Sequence, residues 1–229
     1  MRLPQVVQIE VSTRCNARCR FCQSTPHPAP GLMEWALFER CLDFVSEGCR
    51  VELFGNGEPL LHPRFVDMAA GVSRRGGTPC TYTNGMLMSP TLIRDLEVAG
   101  LRRVVFSICG ATARLHEYLQ PGVDSGRVWG NFAACAASEI EARALYVLLH
   151  SNLTELPAFI QRVHDCGGRY VIIEQLWVTP DDPLAGEQLH FHREAVRSHL
   201  RAALARAASL GVTVERRYDA ALLREGDPG

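Results

Sequence analysis

The chain has no lysine. All 24 of its basic residues are arginine, set against 25 acidic ones in 229 residues, for a formal charge of -1. Without a lysine ammonium there is no Walker-type phosphate loop and no amine for a Schiff base, so P-loop NTPases and lysine-linked pyridoxal enzymes are excluded. Long apolar runs are missing as well. No stretch of 18 apolar residues is available for a transmembrane helix. The opening MRLPQVVQIEVSTRC reaches polar and charged residues before a signal-peptide core has formed. Basic runs are absent too, so the near-neutral charge carries no electrostatic footprint of a nucleic-acid binder. These absences predict a cytoplasmic chain that works without nucleic acid or membrane.

What is present is ordinary in bulk: 47% apolar and 21% charged residues, typical of soluble globular chains. The length predicts one large domain, or one with a small appendage. Apolar runs alternate with helical patterns throughout, the signature of successive βα units on a parallel sheet with right-handed crossovers. Six strands are predicted at Val6–Val11, Arg50–Phe54, Cys80–Thr83, Arg103–Ile108, Leu145–His150 and Tyr170–Trp177. Helices are predicted at Met33–Ser46, Pro63–Arg75, Pro90–Ala99, Gly126–Ala137 and Leu156–Cys166. The expected division is a core over 1–179 and a C-terminal part over 180–229. That part holds a last helix at Arg193–Leu210, a candidate seventh strand at Val212–Tyr218 and a disordered tail.

Nine cysteines, an odd number, do not suit a disulfide framework and point to metal ligands or catalytic thiols. Three of them, Cys15, Cys19 and Cys22, crowd into a loop that follows the first strand, at the carboxyl edge where parallel sheets place their active sites. Three thiolates suit a 4Fe-4S cluster with one iron left open for a small molecule, whereas structural zinc normally takes a fourth protein ligand.

The spacing Cys15-x3-Cys19-x2-Cys22 after a first strand resembles the signature of the radical S-adenosylmethionine (SAM) enzymes. In that family the aromatic residue before the third cysteine lies near the adenine, and Phe21 stands there. The family's glycine-rich acidic segment at the end of the second strand looks like Gly55-Asn56-Gly57-Glu58-Pro59. By this resemblance the segment holds the methionyl ammonium of SAM, with Glu58 adding a charge. A Rossmann reading of the segment fails because Leu60 occupies the third glycine position. Later strand ends match weaker features: Asn84, Ser107, Ser151, Asn152 and Gln175 are candidate contacts to SAM, each as readily a turn or cap residue. Trp177, Glu117 and Tyr118 are further candidates, as readily structural, and the His190-x-His192 pair is a weak metal signal.

The resemblance implies an α/β fold, an open partial (β/α)6 barrel, and a reaction. An external donor such as flavodoxin or ferredoxin reduces the cluster, SAM is cleaved, and the resulting radical removes hydrogen from substrate. The expected substrate is a small polar metabolite: a sugar, nucleoside or amino-acid derivative. Peptide modification is the enzymatic alternative, and a non-catalytic iron-sulfur or zinc module is the alternative outside enzymes. One departure stands out, since Cys109 occupies a place where relatives commonly carry aspartate in Ser-Ile-Asp-Gly. Strand alternation points it inward with Ser107, where a thiol can donate hydrogen, ligate a second cluster or simply fill space. No cysteine follows Cys166, so no auxiliary-cluster extension is expected.

Overall fold

The computed structural model describes residues 4–24, 27–179 and 181–219. Seven parallel strands form one sheet in sequence order: β1 (Val6–Gln8), β2 (Arg50–Glu52), β3 (Thr78–Thr83), β4 (Arg103–Ser107), β5 (Glu141–Leu148), β6 (Tyr170–Gln175) and β7 (Thr213–Arg217). Helices connect them: α1 (Trp35–Cys41), α2 (Phe65–Arg74), α3 (Pro90–Val98), α4 (Ala113–Leu119), α5 (Ser125–Ala136), α6 (Leu156–Asp165) and α7 (Arg193–Leu210). Their apolar faces and the outward side chains of the strands, such as Val51, Val104, Phe106 and Ile173, make the main core.

The sheet curls into a partial barrel. Arg217 on β7 donates from Nη2 to the Tyr82 hydroxyl on β3 at 3.1 Å. Four strand spacings separate them, roughly 19 Å in a flat sheet, which is beyond the joint reach of the two side chains. Inside the curl, Val105, Leu145 and Ile172 pack with Tyr82 as a small apolar cluster. Beside it on the same face runs a ladder of charges: Arg103 to Glu141 at 2.5 Å, Arg143 to Glu141 at 2.8 Å, Arg143 to Glu215 at 3.1 Å and Arg217 to Glu215 at 2.7 Å.

That ladder explains one difference from the sequence reading. Strand β5 begins at Glu141 rather than Leu145, because Glu141 and Arg143 face the interior as partners of Arg103 and Glu215 and so break the apolar run. Helix α4 was not foreseen. It is only seven residues long, and Thr112 caps it by accepting from Leu115 N at 3.3 Å. The first helix is shorter than Met33–Ser46, ending at Cys41 and continuing as a 3-10 turn over Leu42–Phe44.

The seventh strand forms, paired in parallel with β6. Helix α7 buries Val196, Leu200, Ala203 and Ala207 in the same core as the barrel helices and closes on Gly211 with φ 66°. The predicted disordered tail, 224–229, lies outside the described residues. Among the described residues no helix is long and apolar enough to cross a membrane.

Candidate active site at the carboxyl edge of the sheet

The cysteine loop leaves the sheet after β1 and is anchored by Ala17, which is buried in the main core, and by backbone hydrogen bonds. Arg18 N donates to Pro121 O at 2.7 Å, Arg20 N to Leu119 O at 2.9 Å, and Cys22 N to Cys19 O at 3.1 Å. Cys15, Cys19 and Cys22 are all partly exposed and line one cavity of about 250 Å³. Burial pushes the Cys19 thiol up to about 11, while the Gln120 amide, donating to its sulfur at 3.6 Å, pulls the other way. Burial raises Cys15 as well; the charge of Cys22 raises both, and that of Cys15 also raises Cys19.

Across the cavity stand Gly55, Gly57 and Glu58. Glu58 N donates to Arg14 O at 2.7 Å, so this segment is tied directly to the start of the cysteine loop. A Cβ at Gly57 would lie inside van der Waals distance of the Arg14 and Ser12 carbonyl oxygens, which is why glycine stands there. The Glu58 carboxylate is 2% exposed and accepts from Thr83 Oγ1 at 2.8 Å, Asn84 N at 2.8 Å and Leu60 N at 3.1 Å. Burial pushes its carboxyl up to about 7 against those hydrogen bonds. Two partners fall on Oε1 and one on Oε2, which leaves acceptor capacity on Oε2.

The sequence-predicted residues divide into two groups. Asn84 and Ser107 line the cysteine cavity, although the Asn84 amide already donates to Asn16 Oδ1 at 2.7 Å and accepts from Met86 N at 3.0 Å. Phe21 and Cys22 line this cavity and also a second one of about 470 Å³ bounded by Leu149, Val178 and Leu184, so they form a shared wall.

Ser151, Asn152 and Gln175 are not brought to the cysteine cavity. Ser151 lines a separate cavity with Thr112 and Arg114. The Asn152 side chain is buried as a bracket, accepting from Leu149 N and donating to Cys109 O and Val147 O. Gln175 accepts from Asp219 N at 3.1 Å. Trp177 and Tyr118 are exposed, and Glu117 accepts from Ser125 N at 3.0 Å. His192 stacks on His150 with centroids 3.6 Å apart.

Cys109 is fully buried with Leu119, Leu149 and Leu176 and does not line the cavity. Strand alternation does not carry over from Ser107 because β4 ends there. Burial drives its thiol far above the usual range, so it stays protonated. Three site residues were not singled out from the sequence: Thr83, inside a motif read for Asn84; Glu10, which accepts from Asn56 N at 2.5 Å; and Gln120. Glu10 lies beyond the end of β1 at Gln8, where alternation no longer sets a side chain's direction, and neither it nor Gln120 carried a sequence signal.

Among the described residues no three His, Cys, Asp or Glu side chains stand close enough to share one metal ion. A 4Fe-4S cluster asks for something else, since each thiolate binds its own iron at a different corner. Three thiols spaced around a cavity mouth, with a buried carboxylate opposite, fit a cluster whose fourth iron takes a small ligand.

The sequence profile described as the radical SAM superfamily matches residues 9–163. A tungsten-containing aldehyde ferredoxin oxidoreductase cofactor-modifying protein of Pyrococcus furiosus is 34% identical over 104 residues, 44% of this chain and 29% of that protein. A GTP 3',8-cyclase of Caulobacter vibrioides is 28% identical over 179 residues, 74% of this chain and 51% of that protein. The chain thus spans about half or less of the length of these curated relatives. In fold it is similar to Streptococcus suis SuiB bound to S-adenosylmethionine, with TM-score 0.77 at 13% identity over 96% of this chain and 52% of that one. With the profile covering the cysteine loop, the Gly55–Glu58 segment and strands β2 to β5, the chain belongs to the radical SAM superfamily, whose members use a 4Fe-4S cluster and SAM.

Proposed function

We propose that this chain is a radical SAM enzyme acting on a small polar metabolite such as a sugar, nucleoside or amino-acid derivative. The observation that carries the reading is the convergence of three partly exposed thiols and one buried carboxylate on a single cavity at the carboxyl edge. When bound and reduced, the cluster and SAM supply the hydrogen-abstracting radical chemistry of the family. Cys15, Cys19 and Cys22 hold the irons. Glu58 accepts from the methionyl ammonium, and Gly57 lets the backbone approach it. Phe21, on the wall between the two cavities, borders the adenosyl part. An external donor such as flavodoxin or ferredoxin provides the electron.

Peptide modification is the second reading, supported by the open sheet, in which β1 and β7 are not paired.

Anaerobic reconstitution tests the enzyme reading. Four irons and four sulfides per chain with reductant-dependent 5'-deoxyadenosine are expected; stoichiometric zinc without SAM cleavage overturns it. Comparing metabolites of producer and deletion strains tests the substrate class. Accumulation of an unmodified peptide instead of a small metabolite would favour the second reading.

A further inference from the structure

Gln120 follows helix α4 and is 1% exposed, yet its amide faces the cysteine loop. Two backbone bonds bring the segments together. Arg18 N donates to Pro121 O at 2.7 Å and Arg20 N to Leu119 O at 2.9 Å, one on each side of Cys19 and one on each side of Gln120. The two residues are therefore set opposite each other although 101 positions apart in sequence. Arg20 strengthens the clamp, donating from Nε to Tyr118 O at 2.7 Å with its guanidinium 4.1 Å from the Tyr118 ring centroid.

The orientation of the amide is decided by its other end. Gln120 Oε1 accepts from the backbone N–H of Cys109 at 3.2 Å, which leaves Nε2 directed at the Cys19 sulfur at 3.6 Å. A flipped amide would set N–H against N–H at Cys109 and oxygen against sulfur at Cys19, losing both bonds. The Cys109 backbone is held on its other side as well, Asn152 Nδ2 donating to the Cys109 carbonyl at 3.1 Å. The donor is thus preorganised from three separate segments of chain, those of Gln120, Cys109 and Asn152, all of them buried.

We propose that Gln120 is a positioning residue for the cluster, its amide N–H drawing charge from the Cys19 thiolate and so raising the cluster's reduction potential. Reduction adds negative charge to the cluster, and a fixed N–H dipole on a ligand sulfur stabilises the reduced form more than the oxidised one. Such tuning makes it easier for an external donor to load the electron. The inference rests on the reading of Cys19 as an iron ligand, and it adds a residue outside the cysteine motif.

The test compares the reconstituted wild-type enzyme with Gln120→Met, which keeps length and replaces both amide groups by a weakly accepting thioether, and Gln120→Leu, which leaves no polar atom. Midpoint potentials are read by EPR-monitored redox titration, with iron content and circular dichroism of each chain as controls. The expected result is a more negative midpoint in both variants, with four irons retained. An unchanged midpoint in either variant with a full cluster overturns the proposal. So does a folded variant that assembles no cluster, since Gln120 would then serve ligation rather than tuning. Loss of fold in both variants assigns the residue to stability and overturns it as well. A wild-type chain that takes up no 4Fe-4S cluster would instead sink the functional reading itself, and the two failures are separated by that control.

Discussion

The Thr83 hydroxyl donates to the Glu58 carboxylate at 2.8 Å, tying the end of β3 to the segment that follows β2 directly across from the cysteines. Glu58 is held in place but kept out of water, and burial raises its carboxyl to about 7. Above that pH it is ionised and can pair with the SAM ammonium; below it a proton must first be lost. SAM affinity should fall as pH drops from 8 to 6, approaching about tenfold per unit below the carboxyl's pKa. Glu58→Gln should flatten that profile and weaken binding at pH 8 by about 1.5 to 3 kcal/mol with the cluster retained. Calorimetric titrations across this range check both. A wild-type profile as flat as the variant's would make the residue structural.

The same carboxyl has a consequence for the apo chain. Its folded value lies above its unfolded one, so its contribution to stability is present at low pH and is lost as pH rises through about 7. Denaturant unfolding of wild type and Glu58→Gln at pH 5, 6, 7 and 8 should show a smaller decline in the variant.

Replacing Cys15, Cys19 and Cys22 together by Ala should abolish the cluster's charge-transfer absorption and SAM cleavage, because among the nine cysteines these three share the cavity-lining loop. A variant that still binds four irons and cleaves SAM would end the assignment.

Gly57→Ala should disturb the cysteine loop while leaving the sheet intact, because the new methyl meets the Ser12 and Arg14 carbonyls rather than a flexible side chain. We expect native far-ultraviolet circular dichroism with impaired cluster assembly. Full iron content and unaltered SAM binding would show that the loop can shift freely.

Cys109 separates two roles. As packing among Leu119, Leu149 and Leu176, its replacement by Ala should cost about 1 kcal/mol of stability and leave turnover per folded enzyme nearly unchanged. As a hydrogen donor, it would have to be reached by substrate; Cys109→Ala would then still cleave SAM and abstract hydrogen but yield no product. Solvent deuterium on the native product's carbon, lost in the variant, would support the donor role. Normal product yield removes it.

Much of this site was legible in sequence because its signals are local. Cys15, Cys19 and Cys22 fall within eight residues, so their convergence needs no knowledge of the fold, and Gly55–Glu58 reads as a glycine-rich strand end for the same reason. The alternation of strands and helices follows from periodicity and predicts a parallel sheet, whose strand order β1 to β7 the resemblance implied and the structure shows. Where charged residues face inward, at Glu141 and Arg143, periodicity failed because their partners come from neighbouring strands.

Tertiary structure alone decided which side chains meet. Thr83 with Glu58, Gln120 with Cys19 and Arg217 with Tyr82 are separated by 25, 101 and 135 residues, and no pattern in the chain marks any of these pairs. It also turned Cys109 into the wall behind the site, because alternation governs side chains only while the strand lasts and β4 stops at Ser107. Sequence spacing determines which groups one loop can present. The curl of the sheet and the docking of α4 on that loop determine what those groups face.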